Sequence, residues 1–164
     1  MNRPLRLVLG LPVWLYRWRL GRLLDHRFLL LVHRGRRTGR RYENVLEVIR
    51  WDPETKESIV MSGFGRRASW LRNIQAGGAL EIRIGGSRYV LPQDRVLTPG
   101  EAVAVLAGYE RRHRVVAPVL RAVLTRLSGI KYDGSDSARA RLVAELPLVA
   151  FRPGCTNRSR TDGA

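Results

Sequence analysis

The 164-residue chain contains one cysteine, three histidines and two lysines. Cys155 stands alone in a polar tail, so no disulfide framework can form and a reducing cytoplasm is the expected setting. His26, His33 and His113 are scattered without metal-ligand spacing, and no metal site is expected. No Ser-His-Asp, Cys-His or paired-carboxylate arrangement offers a catalytic acid, base or nucleophile. The absence of any Gly-x-x-x-x-Gly-Lys-Ser/Thr segment excludes a P-loop nucleotide hydrolase. The longest N-terminal apolar stretch, Leu7 to Tyr16, falls well short of the ~20 residues of a membrane span. No small-residue cleavage site of a signal peptide follows it.

What the chain does have is apolar mass and arginine. A hydrophobic share of 45% argues for a folded protein, and the length suits one domain with its own core. The formal charge is +16, and because Lys56 and Lys131 are the only lysines it is carried almost wholly by arginine. Such a field attracts anions of every kind. A GC-rich genome also produces arginine at the expense of lysine, so the position of each arginine matters more than the sum.

Along the chain, Pro12 precedes Trp14, Leu15, Trp18 and Leu23 at near-helical spacing, which predicts an amphipathic helix within residues 1–24. Two readings of that helix stand: packed on the domain's core, or lying in a membrane interface that its Trp-plus-Arg mixture would suit. "RFLLLVH" predicts a buried strand. "YENVLEVIRW" alternates, with Val45, Glu47 and Ile49 on one face and Leu46 and Val48 on the other. "SIVMS" predicts a third strand. Ser69 is expected to cap a short helix that ends at Gly77-Gly78, and "ALEIRIGGSRYVLPQDRVL" a hairpin around Gly85-Gly86, with Pro92 at an edge or bulge. Thr98, Pro99 and Glu101 form a capping-box signature for the next helix. Two further helices end at Gly129 and near Leu146, and "PLVAFRP" closes the chain as a strand. The expected fold is α+β: a split β-barrel or curled sheet of about six mainly antiparallel strands with peripheral helices. The domain spans residues 25–153, and a tail at 154–164 is expected to be disordered.

The stretch from Arg34 to Arg41, "RGRRTGRR", combines glycine freedom with clustered cations. Gly35 and Gly39 allow a concave turn whose successive N–H groups suit an anion. Arg36, Arg37, Arg40 and Arg41 add forked donors and Thr38 a hydroxyl. The alternative is a solvated hairpin turn with idle arginines. A second Gly/Arg loop, "SGFGRRASW", places Ser62 at a strand end and an aromatic on the helix that follows. If the two loops line one groove, the ligand is an extended anion with a flat aromatic part.

The ordered segments "FLLLVHRGRRTGRR", "NVLEVIRWDPET", "SGFGRRASWLRNIQA", "LEIRIGGSRYVLPQ" and "LPLVAFRP" resemble the deazaflavin-dependent nitroreductase family, actinobacterial split barrels related to the pyridoxamine-phosphate-oxidase-like proteins. The resemblance covers roughly Leu11 to Pro153. It implies binding of coenzyme F420, with FMN as the alternative, and an oxidoreductase that passes hydride to an electron-poor nitro, enone or quinone-like acceptor. It further implies that Arg37 grips the cofactor phosphate with Arg36, Thr38 and Gly39 around it, and that Asn44 and Ser62, Gly63, Phe64, Gly65 and Arg66 contact the deazaflavin. Trp70 and Asn73 match positions that wall the pocket. Tyr42 stands where many relatives carry arginine, which leaves Arg40 or Arg41 to make that contact. The family's substrate tyrosines have no clean match; Tyr109 and Tyr132 are the nearest candidates, against core packing or a surface role for each. Ser62 is the tentative catalytic residue, against a satisfied strand-end serine. Rival readings are a split barrel for FMN or haem, and a non-catalytic lipid or fatty-acid binder. A nucleic-acid module would need aromatics interleaved with arginines on an exposed sheet, and here the arginines gather in turns and helices. A monomer or homodimer is expected.

Overall fold

The apolar run Leu29–Val32 becomes the central stretch of a seven-stranded, wholly antiparallel sheet in a computed structural model that describes residues 26–114 and 117–154. The expected N-terminal helix, residues 155–164 of the expected tail, and Cys155 lie outside the described residues. In chain order the strands are β1 (Phe28–Arg34), β2 (Arg41–Trp51), β3 (Ser58–Met61), β4 (Ala79–Ile84), β5 (Ser87–Val90), β6 (Gln93–Val96) and β7 (Leu148–Arg152). The helices are α1 (Ser69–Gly77), preceded by a single 3-10 turn at Gly65–Arg67, then α2 (Pro99–Arg112), α3 (Ala117–Ser128) and α4 (Asp136–Glu145).

The sheet order is β5-β4-β1-β2-β3-β7-β6. The eleven-residue β2 pairs with β1 through its first half and with β3 through its second, so one long strand belongs to both halves of the sheet. A register shift between Val48 and Arg50 turns it between the two. The outermost strands, β5 and β6, are consecutive in sequence and joined only by Leu91 and Pro92. Two residues reach no more than roughly 10 Å at full extension, so the sheet must curl until its two edges meet. This is a split barrel. The Leu91 N–H prolongs the β4–β5 ladder by donating to the Leu80 carbonyl (2.9 Å), and across the seam Asp94 Oδ1 of β6 accepts from the Ala79 N–H of β4 (3.1 Å).

The sheet has seven strands, where the sequence led one to expect about six. The segment expected to run on as one hairpin arm breaks at Leu91, which adopts a left-handed φ of 47°, and at Pro92, which has no N–H to offer a ladder. Pro92 ends an edge strand, as its type requires.

Alternation along the strands feeds two cores. Val48, Val60, Val149 and Phe151 join Leu29, Leu31, Ile82 and α1 residues Trp70, Leu71 and Ile74 in the inner core. Their neighbours Ile49, Ile59, Leu148 and Ala150 join Leu106, Leu142 and Tyr132 in the outer core beneath α2–α4. The predicted capping box is present: Thr98 Oγ1 accepts from the Glu101 N–H and the Glu101 carboxylate accepts from the Thr98 N–H. The cap expected at Ser69 is displaced by one residue. Ala68 holds the cap position, with its N–H tied to the Gly65 carbonyl, and its methyl offers no acceptor, so α1 begins with no side-chain cap.

Candidate functional site

The β1–β2 turn is built on its two glycines. A Cβ at Gly35 would stand 2.7 Å from the Tyr42 ring and 2.8 Å from Thr38 Oγ1, while Gly39 needs a left-handed φ of 66°. The turn closes on itself through Gly35 N–H to the Arg40 carbonyl and Gly39 N–H to the Gly35 carbonyl, both 2.8 Å. Arg40 N–H is taken by Thr38 Oγ1 and Arg36 N–H by Asn73 Oδ1. The continuous nest of free donors expected from the glycines is therefore reduced to the N–H groups of Arg37 and Thr38, which have no acceptor among the described residues.

Beside this turn lies a polar cavity of 470 Å³, walled by the turn, the first residues of β2 and the uncapped start of α1. Its floor is a chain of hydrogen bonds. His33 is buried, and its Nε2 meets Asn44 Oδ1 at 2.8 Å while its Nδ1 meets Asn73 Nδ2 at 3.1 Å. An amide oxygen can only accept and an amide nitrogen only donate, so His33 carries its proton on Nε2 in this arrangement. Asn73 Oδ1 in turn accepts from the N–H of Arg36 and from its Nη1 at 3.0 Å. Tyr42 stacks on His33 with ring centroids 5.9 Å apart.

Arg37 and Arg40 are exposed and have no ion pair among the described residues. Arg41 points its charge elsewhere, to the buried Glu81, which also binds Arg83 and Arg88. The hydrogen bond from Arg88, helped by Arg83, outweighs burial and holds the Glu81 carboxyl down at about 2.

Of the residues expected at a site, Arg36, Arg37, Thr38, Asn44 and Asn73 share this cavity, with Gly39 in the same turn. Trp70 is buried in the inner core and does not line it. Of the second Gly/Arg segment, residues 62–70, only Ser69 lines it, and Ser62–Arg66 do not. Ser62 is fully buried, donates its hydroxyl to the Gly65 carbonyl at 2.7 Å and anchors the 3-10 turn. Gly65 abuts the last turn of α4, where a Cβ would lie 2.8 Å from the Glu145 carbonyl, and Arg66 donates to the Ala144 carbonyl. Phe64 is exposed, and Gly63 lines a separate apolar cleft of 120 Å³ with Met61, Leu106 and Tyr109. The Tyr109 hydroxyl donates to Glu47 at 2.9 Å, and burial beside that carboxylate pushes it up to about 12. Tyr132 is buried in the outer core, donating to Glu110 at 2.7 Å, and burial raises its hydroxyl further still. His33, Ser69 and Glu43, the cavity's one carboxylate, are lining residues that sequence reasoning left out. His33 reads in sequence as one more buried strand residue, and only the amides set opposite it make it a junction.

Among the described residues there is no cluster suited to a metal ion, and no helix is long and apolar enough to cross a membrane.

The fold and this cavity define a split barrel with an arginine-rich turn. A family model for the F420H(2)-dependent quinone reductases matches residues 14–114, more than half of the chain. The chain belongs to that family, and is an oxidoreductase that uses coenzyme F420. Among solved structures, an F420-H2 dependent reductase (FDR-A) is 14% identical over 78% of this chain and 96% of its own, at a TM-score of 0.44. A domain-swapped dimer is 15% identical over 86% and 99%, also at 0.44. The protein Atu2129 (unknown function) from Agrobacterium tumefaciens str. C58 is 13% identical over 82% of this chain and 52% of its own, at 0.48. At these scores none of the three carries weight. Comparison with curated proteins gives no match.

Proposed function

We propose that the β1–β2 turn cavity holds the phosphate of coenzyme F420 and that the protein passes hydride to a quinone-type acceptor. The observation that carries this reading is a set of donors with no partner of their own at one cavity: the Arg37 guanidinium and the N–H groups of Arg37 and Thr38. Backbone and side-chain donors converging there match a phosphate better than a neutral group, so the residues present fit the cofactor's anionic part. The start of α1, which no side chain caps, adds its positive dipole end to the same wall.

When bound, the reduced deazaflavin supplies the hydride. The chain's own residues bind and orient. Arg37 supplies the charge that grips the phosphate. Asn73 holds Arg36 by both its backbone and its guanidinium, and His33 holds Asn73. Neither Ser62 nor Tyr109 is asked for a proton, because each hydroxyl hydrogen is already donated, to Gly65 and to Glu47. Titration with F420, followed by quenching of its fluorescence, tests the assignment. Saturable binding that is lost in Arg37→Ala supports it, and equal loss in Arg121→Ala, on α3, would overturn it.

A further inference from the structure

A second cavity, of 500 Å³, lies among the helices. Arg111 lies in the last turn of α2, Arg114 just beyond it, Arg121 comes from α3 and Arg139 from α4. Two carboxylates, Glu110 and Asp136, share the wall, so four guanidiniums face two acids and the lining carries a net +2. Both acids are spent on one partner. Arg139 donates Nε (2.8 Å) and Nη2 (2.6 Å) to Glu110 Oε2, and Nη1 (2.7 Å) to Asp136. The other oxygen of Glu110 accepts from Tyr132. Arg111, Arg114 and Arg121 are left with no carboxylate among the described residues.

Arg121 is the telling member. Its Nε is buried and has no hydrogen-bond partner among the described residues. A buried donor without an acceptor costs about 1–3 kcal/mol. Its position is shaped by Gly134, where a Cβ would stand 2.7 Å from Nη2 and 2.9 Å from Cζ, at a left-handed φ of 82° that suits glycine. The loop before α4 thus gives up a side chain to make room for a guanidinium, while the two acids lining the cavity are bonded to Arg139.

We infer that this helical cavity is a second anion site, separate from the β1–β2 turn, which takes a phosphate-bearing ligand on Arg111, Arg114 and Arg121. Guanidinium forks match phosphate oxygens in pairs, and three of them surround a compact polyanion where a single one would not hold it. The cavity is larger than a lone phosphate and falls in the range that holds small organic ligands. The phosphate can belong to a soluble metabolite or to a phospholipid headgroup, and the two sources share this recognition chemistry.

The test uses the full chain in an Arg37→Ala background, which removes the turn cavity as a competitor, with pyrophosphate as probe in calorimetric titrations at fixed ionic strength. Saturable binding is expected, weakened tenfold or more by Arg114→Gln, an exposed change, and by Arg121→Gln, with thermal melting confirming that both variants fold. Flotation with phosphatidylglycerol and phosphatidylcholine vesicles separates the sources. Anionic vesicles released by Arg114→Gln point to a headgroup, and pyrophosphate binding without flotation points to a soluble ligand. If pyrophosphate fails to bind the Arg37→Ala protein, or binds Arg114→Gln and Arg121→Gln as tightly as their parent, the second site does not exist.

Discussion

The turn cavity and the helical cavity are both walled by arginine, yet they fix their arginines in opposite ways. In the turn, Arg36 is held by the amide of Asn73, a neutral acceptor that orients the guanidinium and leaves its charge intact. Among the helices, Arg139 is held by Glu110 and Asp136, which orient it and cancel it. The same contrast separates Arg37 from Arg41, whose charge is shared with Glu81. An arginine held by carboxylates is structural material. One held by amides, or by nothing, is still available to an anion. Counting arginines therefore says little about binding until each one's partner is known.

The comparison can be broken most directly at Arg37. A charged hydrogen bond is worth about 1.5–3 kcal/mol, so Arg37→Ala is expected to weaken F420 binding by roughly 10- to 150-fold. Arg121→Ala is expected to leave it within about twofold in the same fluorescence titration. Asn73→Leu comes next. It leaves His33 Nδ1 and the Arg36 N–H without partners, for a stability loss of about 2 kcal/mol in denaturant unfolding and a smaller loss of coenzyme affinity, because Arg36 is freed rather than removed.

A pH series sharpens the contrast from the carboxylate side. The folded Glu81 carboxyl titrates at about 2, against an ordinary 4.5. Its contribution to stability is present above pH 4.5 and is lost as pH falls toward 2. Melting temperature should drop across that window, and Glu81→Gln should be less stable at neutral pH with a shallower acid limb. A limb of equal slope in both proteins would show that Glu81 is not the group responsible. The smallest effect is expected at Thr98→Ala, far from either cavity in role, which removes a helix cap worth about 1 kcal/mol and should leave coenzyme binding unchanged.

Much of this was legible in the sequence. The capping box at Thr98, the glycine stops at Gly77-Gly78 and Gly129, and the alternation of Val48 and Ile49 between two cores all follow from local rules. So does the turn at Gly35–Gly39, because its cations and glycines are contiguous. The rest depends on which residues the fold sets opposite one another. Ser62–Arg66 resembles a second half of the site in sequence but packs against the end of α4, and no local pattern reveals which side of a sheet a loop turns to. Glu81 reads as an ordinary outward strand residue until Arg41, Arg83 and Arg88 close over it. The helical cavity draws its arginines from positions 111 to 139, too far apart for any motif to hold them.

The link Leu91–Pro92 has a consequence for the whole architecture. Both edges of the sheet hang from it, and Leu91 is 66% exposed in a left-handed conformation. A single proteolytic nick at Leu91 would untie the two edge strands at once, because each is a sheet border held to the other only by this link. The link that closes the barrel is therefore also the one place where a single cut separates its two edge strands.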